Sequence, residues 1–400
     1  MKIVFLAPFG IRPKGTLIAR MIPLAAGLQD LGHEVVVIAP PYTNPEDAGR
    51  TEVIRGVKLL NVRLGPGGKA LSALPVAWRM LRSAQEEQPD LIHLFKPKGY
   101  GGIAAMLILC LKRLGLNMPP LFLDSDDWEG SGGMNELHDY SGLEKRVYAF
   151  QEQWLTRRVK GVTVASKALA LLVAGLGIPR ERTLYVPNCI DDLPPGNGAT
   201  ARKTLALAPD AAVLLLYTRF FEFGQQRLHK LFAAIHRGRP EVRFLVVGKG
   251  RHHEEDLLRR AAIDNGFADA LIMTGWIEPE QLPDLLAVGD VAIYPFDDTL
   301  VNRTKCPAKL TELLRSAIPV VADRVGQIPE YLAPELHPYL CEPEDVNTMA
   351  DRCLELLGNR SRCSELGEKG RHFIREHFRW PEYAIQLERF YKTLIGFEHD

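Results

Sequence analysis

The chain has 400 residues, of which 46% are hydrophobic and 24% charged, an ordinary globular composition that excludes wholesale disorder. At about 150 residues per domain, two or three domains are expected. Lys+Arg and Asp+Glu are equal at 49 each, so the basic excess that drives nucleic-acid binding is absent.

The charge is nevertheless uneven. Residues 1–190 hold 23 basic and 17 acidic side chains, and the remainder holds 26 and 32. The stretch Thr51–Arg113 alone has 10 basic against 4 acidic. Either this is chance surface charge, or it is a basic face for an anionic acceptor or an anionic membrane surface.

The first residues, Met1 to Gly10, include an apolar run too short for a signal peptide. Ile3–Ala7 reads instead as a buried strand, followed by a helical pattern over Gly15–Leu31 that stops at Gly32. Glu34–Ala39 is a second strand, ended by Pro40-Pro41. Helical patterns over Leu74–Glu87 and Gly102–Leu114 then alternate with strand runs at Leu91–Leu94 and Leu121–Leu123. Val162–Ala165 and Leu184–Val186 continue the series. The most apolar helical stretch, Ile103–Leu111, falls short of the roughly 20 residues that span a bilayer.

Asp191–Gly198 is polar and turn-rich and reads as an interdomain linker. A second series follows, with strands at Ala212–Tyr217, Phe244–Val247, Leu271–Thr274, Val291–Tyr294 and Pro319–Ala322. Trp380–Leu394 closes the chain as an amphipathic helix, packed on its own domain or crossing back to the first. The fold class expected is α/β, two doubly wound Rossmann-like domains facing a cleft that holds the active site. The boundaries are 1–190, 191–378 and a C-terminal helix over 379–400. The six cysteines, Cys110, Cys189, Cys306, Cys341, Cys353 and Cys363, fit no zinc or disulfide framework and suit reduced thiols in the cytoplasm.

The segment Tyr294–Leu332 carries the most specific chemistry, reading as strand, polar loop, helix, strand, turn and helix. Its loop Thr299–Cys306, with Asn302 and Thr304, enters a helix whose first N–H groups favour an anion such as a diphosphate. Lys309 and Glu312, three apart, share one face of that helix. Lys309 would neutralise phosphate and Glu312 would accept from ribose hydroxyls; for such a pair in isolation an ordinary surface Lys/Glu pair is the favoured reading.

This segment resembles the donor-binding signature of retaining glycosyltransferases of the GT-B fold, family 4: Pro-x-Lys-x-x-Glu (Pro307 to Glu312), a Pro-Val-Val strand (Pro319 to Val321) and Gly-x-x-x-Glu (Gly326 to Glu330). Tyr217-Thr218-Arg219 is similar to the family's Gly-Arg at a strand end, whose Arg faces the donor diphosphate. Val246-Val247-Gly248-Lys249-Gly250, Val186–Asp191, Phe378-Arg379-Trp380 and the Leu-Gly-His-Glu-Val-Val-Val run also resemble family positions. The resemblance implies a nucleotide-diphospho-sugar donor in the C-terminal domain, an acceptor hydroxyl entering from the N-terminal domain, and retention. It implies no cofactor.

Four departures stand out. Thr304 replaces the first of the family's paired glutamates; relatives that lack this Glu hold the sugar by the loop backbone. The usual Lys-Gly after Arg219 is missing, leaving Arg227, near Gln225 and Gln226, as the replacement phosphate cation. Asp126 stands where a His near the donor sugar is usual. The N-terminal Gly-rich loop is reduced to Gly10 and Lys14-Gly15.

The candidate donor-binding residues are therefore Arg219, Arg227, Gly248, Asn302, Thr304, Lys309 and Glu312. Catalytic candidates are Asp126, His93 and Lys309, with His93 at a strand end facing the cleft or else a structural histidine. Acceptor candidates are Gly10, Lys14, Lys96 and Lys98, the last two in a basic glycine-rich turn. Asp124-Ser125-Asp126 spells a triplet that can ligate a hard cation, but the two-domain pattern argues against the metal-dependent class and no metal is expected; helix capping is the plain alternative. The expected partners are a nucleotide sugar and a glycan, lipid-linked or other anionic acceptor, with no nucleic acid and with peripheral contact at the inner membrane face through the basic half. Two other functions fit the same residues: a sugar-nucleotide-binding partner protein that has lost catalysis, and a GT-B phosphorylase or epimerase.

Overall fold

Lys2–Leu6 forms strand β1, and its unbroken apolar run Ile3–Leu6 is fully buried, as a strand covered on both faces requires. A computed structural model describes residues 1–12, 15–65, 71–191, 194 and 196–396. The chain divides into two units. The first comprises Met1–Cys189, Thr304–Cys306 and Arg379–Asp400, and the second Ile190–Arg303 and Pro307–Phe378. Of the expected linker, Asp192, Leu193 and Pro195 lie outside the described residues.

In the first unit β1 is joined by β2 (Glu34–Ala39), β3 (Thr51–Ile54), β4 (Val57–Asn61), β5 (Leu91–Phe95), β6 (Leu121–Ser125), β7 (Gly161–Val164) and β8 (Thr183–Tyr185), in the order β3-β4-β2-β1-β5-β6-β7-β8. Every pairing is parallel except β3 with β4. That hairpin turns through Arg55-Gly56, both at positive φ (52° and 80°), the geometry a two-residue turn needs to match strand twist.

The connecting helices are α1 (Ile22–Asp30), α2 (Ala73–Glu86), α3 (Gly99–Arg113), α4 (Gly142–Thr156) and α5 (Lys167–Gly175). The step β1 to β2 runs one way along the sheet, whereas β4 to β5, β5 to β6, β6 to β7 and β7 to β8 run the other way. Right-handed crossovers therefore put α1 on one face and α2 to α5 on the opposite face. The C-terminal helix, Trp380–Ile395, packs on α1. There a Cβ on Gly27 would lie 2.9 Å from the Cβ of Ala384. His33 Nε2 and Glu388 Oε1 are 2.9 Å apart on the same contact.

The second unit holds β9 (Val213–Tyr217), β10 (Arg243–Val247), β11 (Leu271–Gly275), β12 (Val291–Tyr294), β13 (Val320–Asp323) and β14 (Leu340–Cys341), all parallel, ordered β11-β10-β9-β12-β13-β14. Its core includes Phe232 stacked on Phe244 at 4.4 Å, with Phe267 edge-on to Phe244 at 5.6 Å. Both units are thus Rossmann-like α/β sheets. All six cysteines are free, and among the described residues no helix is long and apolar enough to cross a membrane.

Candidate functional site

In the second unit the relevant side chains gather beyond the carboxyl ends of β9, β10 and β12. Helix Ala308–Arg315 buries Leu310, Leu313 and Leu314, so Lys309 and Glu312 fall on another face. Both meet Tyr217, the last residue of β9. The Lys309 ammonium lies 3.5 Å above the centre of its ring, and its hydroxyl is hydrogen-bonded to Glu312. Burial, reinforced by the Glu312 charge, pushes the Tyr217 phenol well above its ordinary value, so it stays a neutral donor.

Arg219, two residues further, is exposed, with its guanidinium 4.9 Å from the centre of the Phe221 ring; Arg251 lies 5.1 Å from the same ring. Two cations therefore flank one aromatic where β9 and β10 end. Gly248 has φ +125°, and a Cβ there would lie 1.9 Å from the carbonyl oxygen of Thr218. Only glycine lets the two strand ends approach this closely.

Arg227 and Asn302 are placed differently from their expected roles. The Arg227 guanidinium pairs with Asp323 at 2.6 Å and Asp297 at 3.3 Å, so its charge is neutralised inside the unit. Buried Asn302 donates through Nδ2 to the carbonyls of Glu222 (2.7 Å) and Asp297 (2.8 Å), and so ties two loops together. Thr304 is grouped with the first unit, where its carbonyl accepts from Ser166 Oγ at 2.7 Å.

The first unit holds a buried charge network at the carboxyl ends of β5 and β6. Arg20 donates from Nε and Nη2 to the two oxygens of Asp124, at 2.8 and 2.6 Å, and both residues are fully buried. Lys96 follows β5 in the left-handed region (φ 56°), a strained setting for a non-glycine residue. Its ammonium contacts Asp127 at 2.6 Å and Asp126 at 3.0 Å. Thr16 Oγ1 donates to Asp126 at 3.2 Å. Burial pushes the Asp126 carboxyl up to about 6, although Lys96 opposes it. Against the same burial, Lys96 holds Asp127 below the usual carboxylate range. Lys98 binds Glu129 at 2.8 Å and Asn135 at 3.2 Å.

These placements correct three expectations. Lys96 and Lys98 do not present free charge to an anionic acceptor, because internal carboxylates hold them. His93 does not end its strand, and of the two expectations for it the structural one describes its setting. The strand continues to Phe95, the ring is fully buried, and its nitrogens share hydrogens with Tyr391 Oη (2.5 Å) and Thr163 Oγ1 (3.3 Å). Burial lowers the His93 pKa to about 4, so the ring is neutral and structural. The Asp124-Ser125-Asp126 triplet does not converge, since Asp124 turns to Arg20 and Asp126 to Lys96. Among the described residues no group of three or more His, Cys, Asp and Glu is arranged to hold a metal ion.

Gly10 is buried against Asn44, with no room for a Cβ, and Lys14 lies outside the described residues. Sequence reasoning overlooked Tyr217, Arg251, Thr16 and Arg20. Of these only Arg20 carried a signal, a lone charge among Leu17, Met21, Ile22 and Leu24.

Over 198 residues the chain is 28% identical to a GDP-mannose-dependent alpha-(1-6)-phosphatidylinositol monomannoside mannosyltransferase of Mycobacterium tuberculosis, covering 49% of this chain and 51% of that protein. Over 262 residues it is 30% identical to the MMP alpha-(1->4)-mannosyltransferase of Mycolicibacterium hassiacum, covering 64% and 59%. The chain thus spans little more than half the length of these two relatives. In fold it is similar to sucrose-phosphate synthase from Thermosynechococcus elongatus (TM-score 0.78, 18% identity, all of both chains). Anabaena Alr3699/HepE, solved in complex with UDP-glucose, is also similar (TM-score 0.73, 18% identity, 98% of this chain and 100% of that one). Residues 17–189 match the glycosyl transferase 4-like domain and residues 211–359 match the glycosyl transferases group 1 domain, and the chain belongs to this family of GT-B glycosyltransferases.

Proposed function

We propose that the chain moves a sugar from a nucleotide-diphospho-sugar to an acceptor hydroxyl, with retention at the anomeric carbon and without a metal ion. The observation that carries this reading is the seating of Lys309 and Glu312 on Tyr217 at the carboxyl end of β9. A cation and a carboxylate held side by side suit a nucleoside diphosphate, whose phosphates need charge and whose ribose offers donors.

The bond from the anomeric carbon to the diphosphate oxygen breaks, and one forms to the acceptor oxygen. The acceptor proton passes to the departing diphosphate. Lys309, Arg219 and Arg251 stabilise the charge that develops on that leaving group. Asp126, held by Thr16 and Lys96, is the group in the first unit suited to accept from an acceptor hydroxyl. The names of the relatives support a glycan or lipid-linked acceptor, and the six free thiols support a reducing compartment.

Thermal denaturation with uridine-, guanosine- and adenosine-diphosphate sugars tests the donor site. A ligand at a hundred times its Kd stabilises the folded form by about 2.7 kcal/mol. A shift with one nucleotide, lost in Glu312→Ala and Arg219→Ala, is the expected result; no shift with any donor would sink the reading. Turnover that requires inorganic phosphate, or proceeds without an acceptor, would point instead to a phosphorylase or an epimerase.

A further inference from the structure

The first unit has a second concave surface, at the end of its sheet away from Asp126. A cleft of about 410 Å³ lies where β6, β7 and β8 begin, within the roughly 300–1,000 Å³ of small-molecule sites. Four cations line it. Lys112 comes from the last turn of α3, Arg158 and Lys160 from the turn between α4 and β7, and Arg182 from just before β8. Among the described residues no carboxylate lines the cleft, and none lies within ion-pair distance of these four. That sets them apart from Lys96 and Lys98, which Asp127 and Glu129 neutralise. The whole chain balances 49 basic against 49 acidic residues, so this is a local concentration of one sign. Like charges that converge without a counter-ion repel one another, and a bound anion relieves that repulsion.

Two of the four are held in place by the fold. Arg182 donates from Nε to the carbonyl of Lys160 at 3.1 Å and from Nη2 to that of Val159. The Arg158 guanidinium lies 4.4 Å from the centre of the Trp154 ring and donates to the Trp154 carbonyl at 3.1 Å. Cations fixed in this way lose little further freedom when a ligand arrives. The rest of the wall is apolar and includes Leu121, Val159 and Leu394 of the C-terminal helix. Leu394 packs beside β7 because Gly161 has no side chain; a Cβ there would lie 2.6 Å from Leu394 Cδ1. We propose that this cleft binds a soluble phosphate ester carrying two or more negative charges, at a site separate from donor and acceptor. Arginine grips phosphate oxygens in a planar fork and lysine adds a compact charge, while the apolar wall covers the organic part. Such a ligand touches α3, the α4–β7 turn and the C-terminal helix together.

Titration calorimetry of the full chain with tripolyphosphate and with ATP reads this directly. It needs neither donor nor acceptor, so its failure leaves the transferase reading untouched. Both should bind, more weakly as salt rises, with ATP at least as tight because it also offers a ring to the apolar wall. Lys112→Glu with Lys160→Glu should weaken both by at least about tenfold. Melting of the ligand-free protein should be unchanged, since both side chains are exposed. Lys309→Ala with Arg219→Ala alters the donor cations instead and should leave this binding in place. Four results would overturn the proposal: no binding by the wild type, undiminished binding by the Lys112/Lys160 variant, binding that only the Lys309/Arg219 variant loses, or sulfate held as tightly as tripolyphosphate, an adventitious ion only. Capture on phosphatidylglycerol vesicles by a protein that ignores both soluble anions would also overturn it.

Discussion

The Lys309 ammonium rests 3.5 Å above the ring of Tyr217, and the hydroxyl of that ring is bonded to Glu312, so one β9 residue positions both side chains of the donor signature. The two contacts can be separated by mutation. Tyr217→Phe keeps the ring for Lys309 and drops the bond to Glu312, whereas Tyr217→Ala drops both. Each contact is worth on the order of 1 kcal/mol. Affinity for the nucleotide that shifts melting should fall about fivefold in Tyr217→Phe and further in Tyr217→Ala. Titration calorimetry checks this, and equal losses in the two variants would show that the ring plays no part.

Arg20 and Asp124 form a fully buried, two-pronged pair. Arg20→Met strands a carboxylate in the core and should cost about 3–5 kcal/mol in denaturant unfolding. Adding Asp124→Leu removes the stranded charge and should restore much of that loss. A single variant close to wild type would contradict the pairing.

Burial, and next to it the charge of Glu129, push the Glu152 carboxyl up to about 8 from an ordinary 4.5. Between these values the unfolded chain gives up a proton that the folded chain keeps. This residue's share of stability is therefore full below about 4.5 and lost as pH rises through about 8. Glu152→Gln, which mimics the protonated acid, should melt above wild type at alkaline pH and close to it under acid conditions. A parallel offset at every pH would rule this titration out.

Gly248 and Gly32 both have positive φ, +125° and +85°, yet only Gly248 faces backbone where a Cβ would go. Gly32→Ala should cost about 1 kcal/mol for the strained conformation alone. Gly248→Ala must also displace Thr218 and should cost more than about 2 kcal/mol. It should also weaken nucleotide binding, because Thr218 adjoins Arg219 and Tyr217. Similar melting temperatures for the two variants would refute the close approach.

The sequence made the sheets legible because buried parallel strands are short, apolar and bounded by turns, as at Ile3–Leu6 and Val213–Tyr217. The hairpin Thr51–Asn61 gives little apolar signal because β3 is an edge strand whose residues alternate between exposed and half-buried. Lys309 and Glu312 were found because a helix converts a spacing of three into a shared face. Tyr217 was not, since its partners lie about ninety residues downstream and only tertiary packing brings them together. Spacing also places a residue after a strand without saying which way its side chain turns. That is how Lys96 and Lys98 passed for surface cations when each faces a carboxylate 31 residues away.

The first unit takes its last structural member from the far end of the chain. Tyr391 shares a hydrogen with His93 and packs on Phe122 at 4.9 Å. During synthesis the sheet that begins at Lys2 must wait while the whole second unit leaves the ribosome before that corner is sealed. Until then Phe122 and His93 are open to solvent and to other chains. The nascent first half thus carries a temporary sticky patch, a natural target for a chaperone, and it disappears only when the final helix arrives.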